Sequence, residues 1–137
     1  MRPTANAFLD TNVLIYAFTT DPRAAAAQDL LGRGWLTSVQ ALNEFTNVAR
    51  RKLGMTWPEV REALAGIRTL CRAIAPLDIG THEEALRIAE RHGYTICDAL
   101  IVAAALRARC TILYSEDMQD GMTIGGRLRI VDPFREP

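Results

Sequence analysis

The chain has 137 residues, 49% of them apolar, and its sixteen basic and sixteen acidic side chains cancel to zero formal charge. That length suits one domain over residues 1–137 with one sizeable core, and the charge balance excludes the strongly basic class that grips long duplexes through phosphates alone. The longest apolar run, residues 99–106, falls far short of the ~20 residues of a membrane span. Met1-Arg2-Pro3 leads into a strand-like stretch rather than a leader peptide, so the expected location is the cytoplasm, with no membrane partner.

Residues 5–9 are mainly apolar and end on Asp10, as a buried strand does. Residues 12–18 have helical spacing, with Asn12 in position to cap the first turn. Asp21-Pro22 opens a second helix through Leu31, with the proline in the first turn where its missing N–H costs nothing, and Gly32 and Gly34 stop it. Residues 35–37 form a short strand, after which Ser38 caps a helix running to Leu53 and ended by Gly54. Thr56 and Glu59 make a capping box for a helix whose apolar stripe is Val60, Ala63, Leu64, Ile67 and Leu70. Thr81 and Glu84 repeat the device for a helix through Arg91, closed by Gly93. Residues 98–109 are apolar nearly all round, which predicts a helix buried mid-domain, and residues 111–114 and 128–131 are the last two strands. Short apolar strands alternating with helices mean an α/β fold with a central parallel sheet covered on both faces. Sites in such sheets lie beyond the carboxyl ends of the strands.

Four acids stand where such a site would form. Asp10 follows the first strand, Asp117 follows the strand at 111–114, Asp98 opens the buried helix, and Glu44 lies in the second turn of the Ser38 helix. If the strands at 5–9 and 111–114 are neighbours, Asp10, Asp98 and Asp117 converge in one pocket. Carboxylates a few ångströms apart raise each other's pKa, and a divalent cation removes that penalty. Mg²⁺ takes one or two carboxylates with waters and phosphate oxygens, a combination suited to phosphodiester hydrolysis by water. Taken singly, each acid also reads as an ordinary cap or turn residue, and helical periodicity alone puts Glu44 on an exposed face.

The wording of the segments adds to this. Residues 8–17 (FLDTNVLIYA) resemble the opening of the PIN-domain family, and residues 38–45 (SVQALNEF) are similar to its second segment. Residues 94–105 (YTICDALIVAAA) are similar to its third and residues 112–120 (ILYSEDMQD) to its fourth, with Val131-Asp132-Pro133-Phe134 as the ending. The resemblance covers nearly the whole chain. It implies a three-layer α/β/α sandwich and an endoribonuclease dependent on Mg²⁺ (or Mn²⁺) that acts on single-stranded or looped RNA. Asp10, Glu44, Asp98 and Asp117 would hold the metal, Ser115 would support the site, and Thr11 and Asn12 would orient the first ligand. A chain of this size looks most like the VapC-type toxin branch, whose members are blocked by a small antitoxin and pair as homodimers. Many toxin-branch sequences carry Asn at the fourth position. Here Asp117 stands there, flanked by Glu116 and Asp120, and the order of preference as ligand is Asp117, Asp120, Glu116.

Other features carry less. Arg50, Arg51 and Lys52 form a basic helix end that either contacts RNA or complements the helix dipole. His82 and His92, ten residues apart, have no metal spacing, and Trp35 and Trp57 read as packing residues. Cys71, Cys97 and Cys110 lack the short paired spacing of a zinc site and read as buried thiols. Two competing readings are an RNA-processing nuclease without an antitoxin and an inert protein-binding module. A receiver-type phosphoacceptor at Asp10 would need a lysine near the last strands, but the single lysine is Lys52.

Overall fold

A computed structural model describes residues 6–135. The elements, in chain order, are β1 (Ala7–Leu9), α1 (Thr11–Tyr16), α2 (Ala24–Gly32), β2 (Leu36–Ser38), α3 (Val39–Arg51) and α4 (Trp57–Leu70). They continue with β3 (Ala73–Ala75), α5 (Ile79–His92), α6 (Ile96–Arg107), β4 (Ile112–Tyr114), β5 (Thr123–Ile124) and β6 (Leu128–Val131). The strands make one sheet in the order β3-β2-β1-β4-β6-β5, parallel throughout except for the β5–β6 pair. The expected mixed α/β architecture with a mostly parallel sheet is therefore present. The Ala5 end of the first expected strand and the Met1–Pro3 start lie outside the described residues.

β1 sits between β2 and β4, with Leu9 level with Tyr114. Phe8, Leu9, Leu113, Leu128 and Ile130 are fully buried, as strands covered on both faces require. Helix α6 confirms the all-round apolar reading, since Ala99 and residues 101–105 are buried along it. Its caps explain its bounds. Thr95 Oγ accepts the Asp98 N–H, and α5 before it ends at Gly93 in a left-handed conformation. Among the described residues no helix is long and apolar enough to cross a membrane.

Several local expectations are corrected. Asp10, not Asn12, caps α1, because its side chain accepts the Thr11 N–H and leaves the Asn12 amide free for other partners. Pro22 precedes α2 instead of lying in its first turn: Asp21 Oδ1 takes the Arg23 N–H in a tight turn, and helix begins only at Ala24. α5 starts at Ile79 with Asp78 as cap, so Thr81 lies inside the first turn and Glu84 pairs instead with Arg87. In the α4 stripe Val60, Ala63 and Ile67 are buried, whereas Leu70, at the last turn, is exposed. Strands β3 and β5, with three and two residues at the sheet's two edges, were not anticipated.

Candidate active site

Register builds the centre of the site. Leu9 and Tyr114 are level, so the next residues, Asp10 and Ser115, leave the sheet side by side at its carboxyl rim. Ser115 Oγ donates to Asp10 Oδ2 at 2.7 Å, and the Thr11 N–H donates to Asp10 Oδ1 at 2.6 Å. Asp10 and Ser115 are both buried, and the Met118 N–H in turn donates to Ser115 Oγ. Burial pushes the Asp10 carboxyl up to about 7 against the pull of its Ser115 and Thr11 bonds, and Asp98 and Glu44 add repulsion.

The other acids arrive on separate elements. Thr11 Oγ1 donates to Glu44 Oε2 at 3.2 Å, drawing α3 to α1. Burial, followed by the charges of Asp98 and Asp117, holds Glu44 above the usual carboxylate range. Glu44 is thus half-buried against the site rather than on a solvated face, because α3 packs across α1 at this point. Asp98, in the first turn of α6, is raised by burial and then by Asp117. Asn12 Nδ2 donates to Asp117 Oδ2 at 3.1 Å. Among the described residues no lysine, arginine or histidine pairs with any of these four acids. Nor do three His, Cys, Asp or Glu side chains stand close enough together there to chelate one ion.

The three acids of the 116–120 loop part company. Glu116 accepts from Tyr16 and Arg23, and Asp120 accepts from the Asp132 N–H and from Arg135. Both oxygens of each are occupied elsewhere, whereas Asp117 turns toward Asn12 and perturbs Glu44 and Asp98. Gln40, one turn before Glu44 on α3, pulls its carboxyl pKa down against these effects, a neighbour that the i, i+4 spacing signals but no motif does.

The remaining candidates are dispersed. Arg50 is committed to the α3 end, donating to the Met55 carbonyl and lying 4.6 Å over the Trp57 ring, while Arg51 and Lys52 are exposed. Trp57 is therefore 50% exposed rather than packed in the core. Cys71 and Cys110 are buried as expected, but Cys97 is exposed. It lies in the first turn of α6, where burial and then Glu44 and Asp98 raise its thiol pKa.

The PIN-domain family model matches residues 7–119, a span that contains all four acids. The chain belongs to the PIN-domain family. Three solved PIN-fold structures are similar to it. The Mycobacterium tuberculosis toxin VapC20, described as cleaving the sarcin–ricin loop, is 22% identical with a TM-score of 0.62, over 82% of this chain and 90% of that one. A toxin–antitoxin complex from Klebsiella pneumoniae gives 20% and 0.71, over 96% and 100%. VapBC2 from Rickettsia felis, bound to a DNA fragment from the pair's promoter, gives 18% and 0.62, over 92% and 98%. No curated protein matches the sequence significantly. The chain thus shares the PIN fold of VapC toxins.

Proposed function

We propose that this PIN domain is an endoribonuclease dependent on Mg²⁺ or Mn²⁺ that hydrolyses single-stranded or looped RNA in the cytoplasm, and that it is the toxin of a pair restrained by a small antitoxin. The observation that carries the reading is the approach of Asp10, Glu44, Asp98 and Asp117, from four separate parts of the chain, around one rim, with no basic side chain among the described residues paired to them. The likeness in fold to a toxin described as cleaving an RNA loop, and to two toxin–antitoxin complexes, supports it.

The donor set suits a hard cation, since every candidate ligand is a carboxylate oxygen. With no three acids among the described residues close enough to chelate directly, one or two of Asp10, Glu44, Asp98 and Asp117 would touch the ion and the others would act through water, as Mg²⁺ prefers. When bound, such a cation polarises a phosphoryl oxygen and makes water acidic enough to attack near neutral pH. The chain's own residues supply position. Ser115 and Thr11 pin both oxygens of Asp10, Thr11 also holds Glu44, and Asn12 holds Asp117. Each orienting bond removes rotamer freedom that a productive geometry would otherwise have to recover.

The test is cleavage of RNA by Asp10→Asn and Asp98→Asn, which lose charge and keep shape. Both should cut at least about 100-fold more slowly, with unchanged circular dichroism. Full cleavage by both would overturn the assignment. Growth arrest on expression, relieved by a small reading frame next to the gene, is the outcome expected of a toxin; harmless expression of an active enzyme would refute that part.

A further inference from the structure

Glu116 is a fifth acid, next in the chain to Asp117, and both of its carboxylate oxygens are engaged. Tyr16 donates its hydroxyl to Glu116 Oε1 at 2.7 Å, and Arg23 Nη1 donates to Oε2 at 2.8 Å. Arg23 is itself locked. Its Nε and Nη2 grip Asp21 in a fork, both at 2.8 Å, and its guanidinium lies 4.1 Å over the Tyr16 ring. Tyr16 is braced on its other side by Phe134, edge-on at 5.2 Å. The clasp thus joins α1, the turn before α2, the loop after β4 and the end of the described chain.

A clasp of this kind fixes the Glu116 backbone. The Glu116 N–H reaches Asn12 Oδ1 at 3.4 Å, which sets which way round the Asn12 amide lies. With its oxygen toward Glu116, Asn12 presents Nδ2 to Asp117 Oδ2, and among the described residues Asp117 Oδ1 has no hydrogen-bond partner. Asp117 is exposed and on a loop, so few other contacts hold its rotamer. We infer that Glu116, clasped between Tyr16 and Arg23, is a positioning residue that acts through Asn12 to present Asp117 to the cation. The inference rests on the reading of Asp117 as a cation-holding carboxylate. The ion pair with Arg23 has a second consequence: it engages the Glu116 charge outside the pocket, so a fifth carboxylate neither competes for the ion nor adds repulsion.

The experiment is Mn²⁺ binding to the purified protein without RNA, by titration calorimetry, with thermal midpoints taken beside it. Glu116→Ala should raise the Mn²⁺ Kd about tenfold, the lower end of what an orienting partner contributes. In an Asp117→Ala background the same change should leave Kd where Asp117→Ala alone puts it, because Glu116 has no other route to the ion. Tyr16→Phe, which removes one bond and keeps the ring, gives the same pattern in weaker form and serves if Glu116→Ala fails to fold. Equal losses in both backgrounds, or no loss in the parent, would overturn the positioning role while leaving Asp117 as a ligand. An unchanged Kd in Asp117→Ala itself would overturn the reading of Asp117, and this inference with it.

Discussion

Asp10 is 4% exposed and carries a carboxyl raised to about 7. In the unfolded chain the same group ionises near its ordinary value of 3.8. Between those values the folded state holds a proton that the unfolded state has released. Stability of the cation-free protein therefore falls as pH rises from about 4 to 7, and the loss is complete above that. Asp10→Asn removes the ionisation while Asn still caps a helix well. It should stabilise the cation-free protein at pH 8 by on the order of 3 kcal/mol and give no advantage at pH 4. Denaturant melts in chelator at the two pH values would check this, and an equal effect at both would contradict it. The same scale separates neighbouring acids. Glu116, Asp117 and Asp120 read alike in sequence, but Arg23 pairs with Glu116 and Arg135 with Asp120. The second-ranked candidate, Asp120, caps the 132 backbone instead.

Among the elements, the start signals of α3 and α4 were legible, because the hydroxyl residue read as the cap is the one that caps. Ser38 and Thr56 each accept an N–H from the first turn of their helix, and the Thr56–Glu59 box is reciprocal. At α5 the Thr81-x-x-Glu84 pattern misleads, because Asp78 offers a stronger acceptor three residues earlier and Thr81 Oγ1 donates to it. Asp78→Ala should therefore cost about 1 kcal/mol, whereas Glu84→Ala, which breaks only a surface pair with Arg87, should cost under about 0.5 kcal/mol. Equal losses in urea melts would put the start of α5 back at Thr81. β3 and β5 are illegible in the sequence for a different reason. At the two sheet edges burial is incomplete, so neither strand carries the pattern of a covered one.

For the molecule as a whole, the acids come from positions 10, 44, 98 and 117, and only the sheet order brings them together. A cation that binds the assembled rim and not the unfolded chain must stabilise the whole fold. At a hundred times its Kd, Mn²⁺ should add about 2.7 kcal/mol, a rise on the order of 10 °C in thermal midpoint. Asp98→Asn should lose most of that rise without a comparable loss of stability in chelator. A midpoint indifferent to Mn²⁺ at pH 8 would count against a cation site at this rim.

The sequence alone determined the α/β class, the starts of α3 and α4, the buried character of α6 and the acids at strand and helix ends. Each of these follows from local periodicity, capping chemistry or motif wording. Only the tertiary structure decided that Glu44 faces the site, that Cys97 and Trp57 are exposed, and that Asn12 serves Asp117 instead of capping α1. These depend on contacts such as Tyr16 with Glu116, a hundred residues apart, which no local pattern encodes. A side chain's partner is set by which elements pack together, and that is a property of the folded whole.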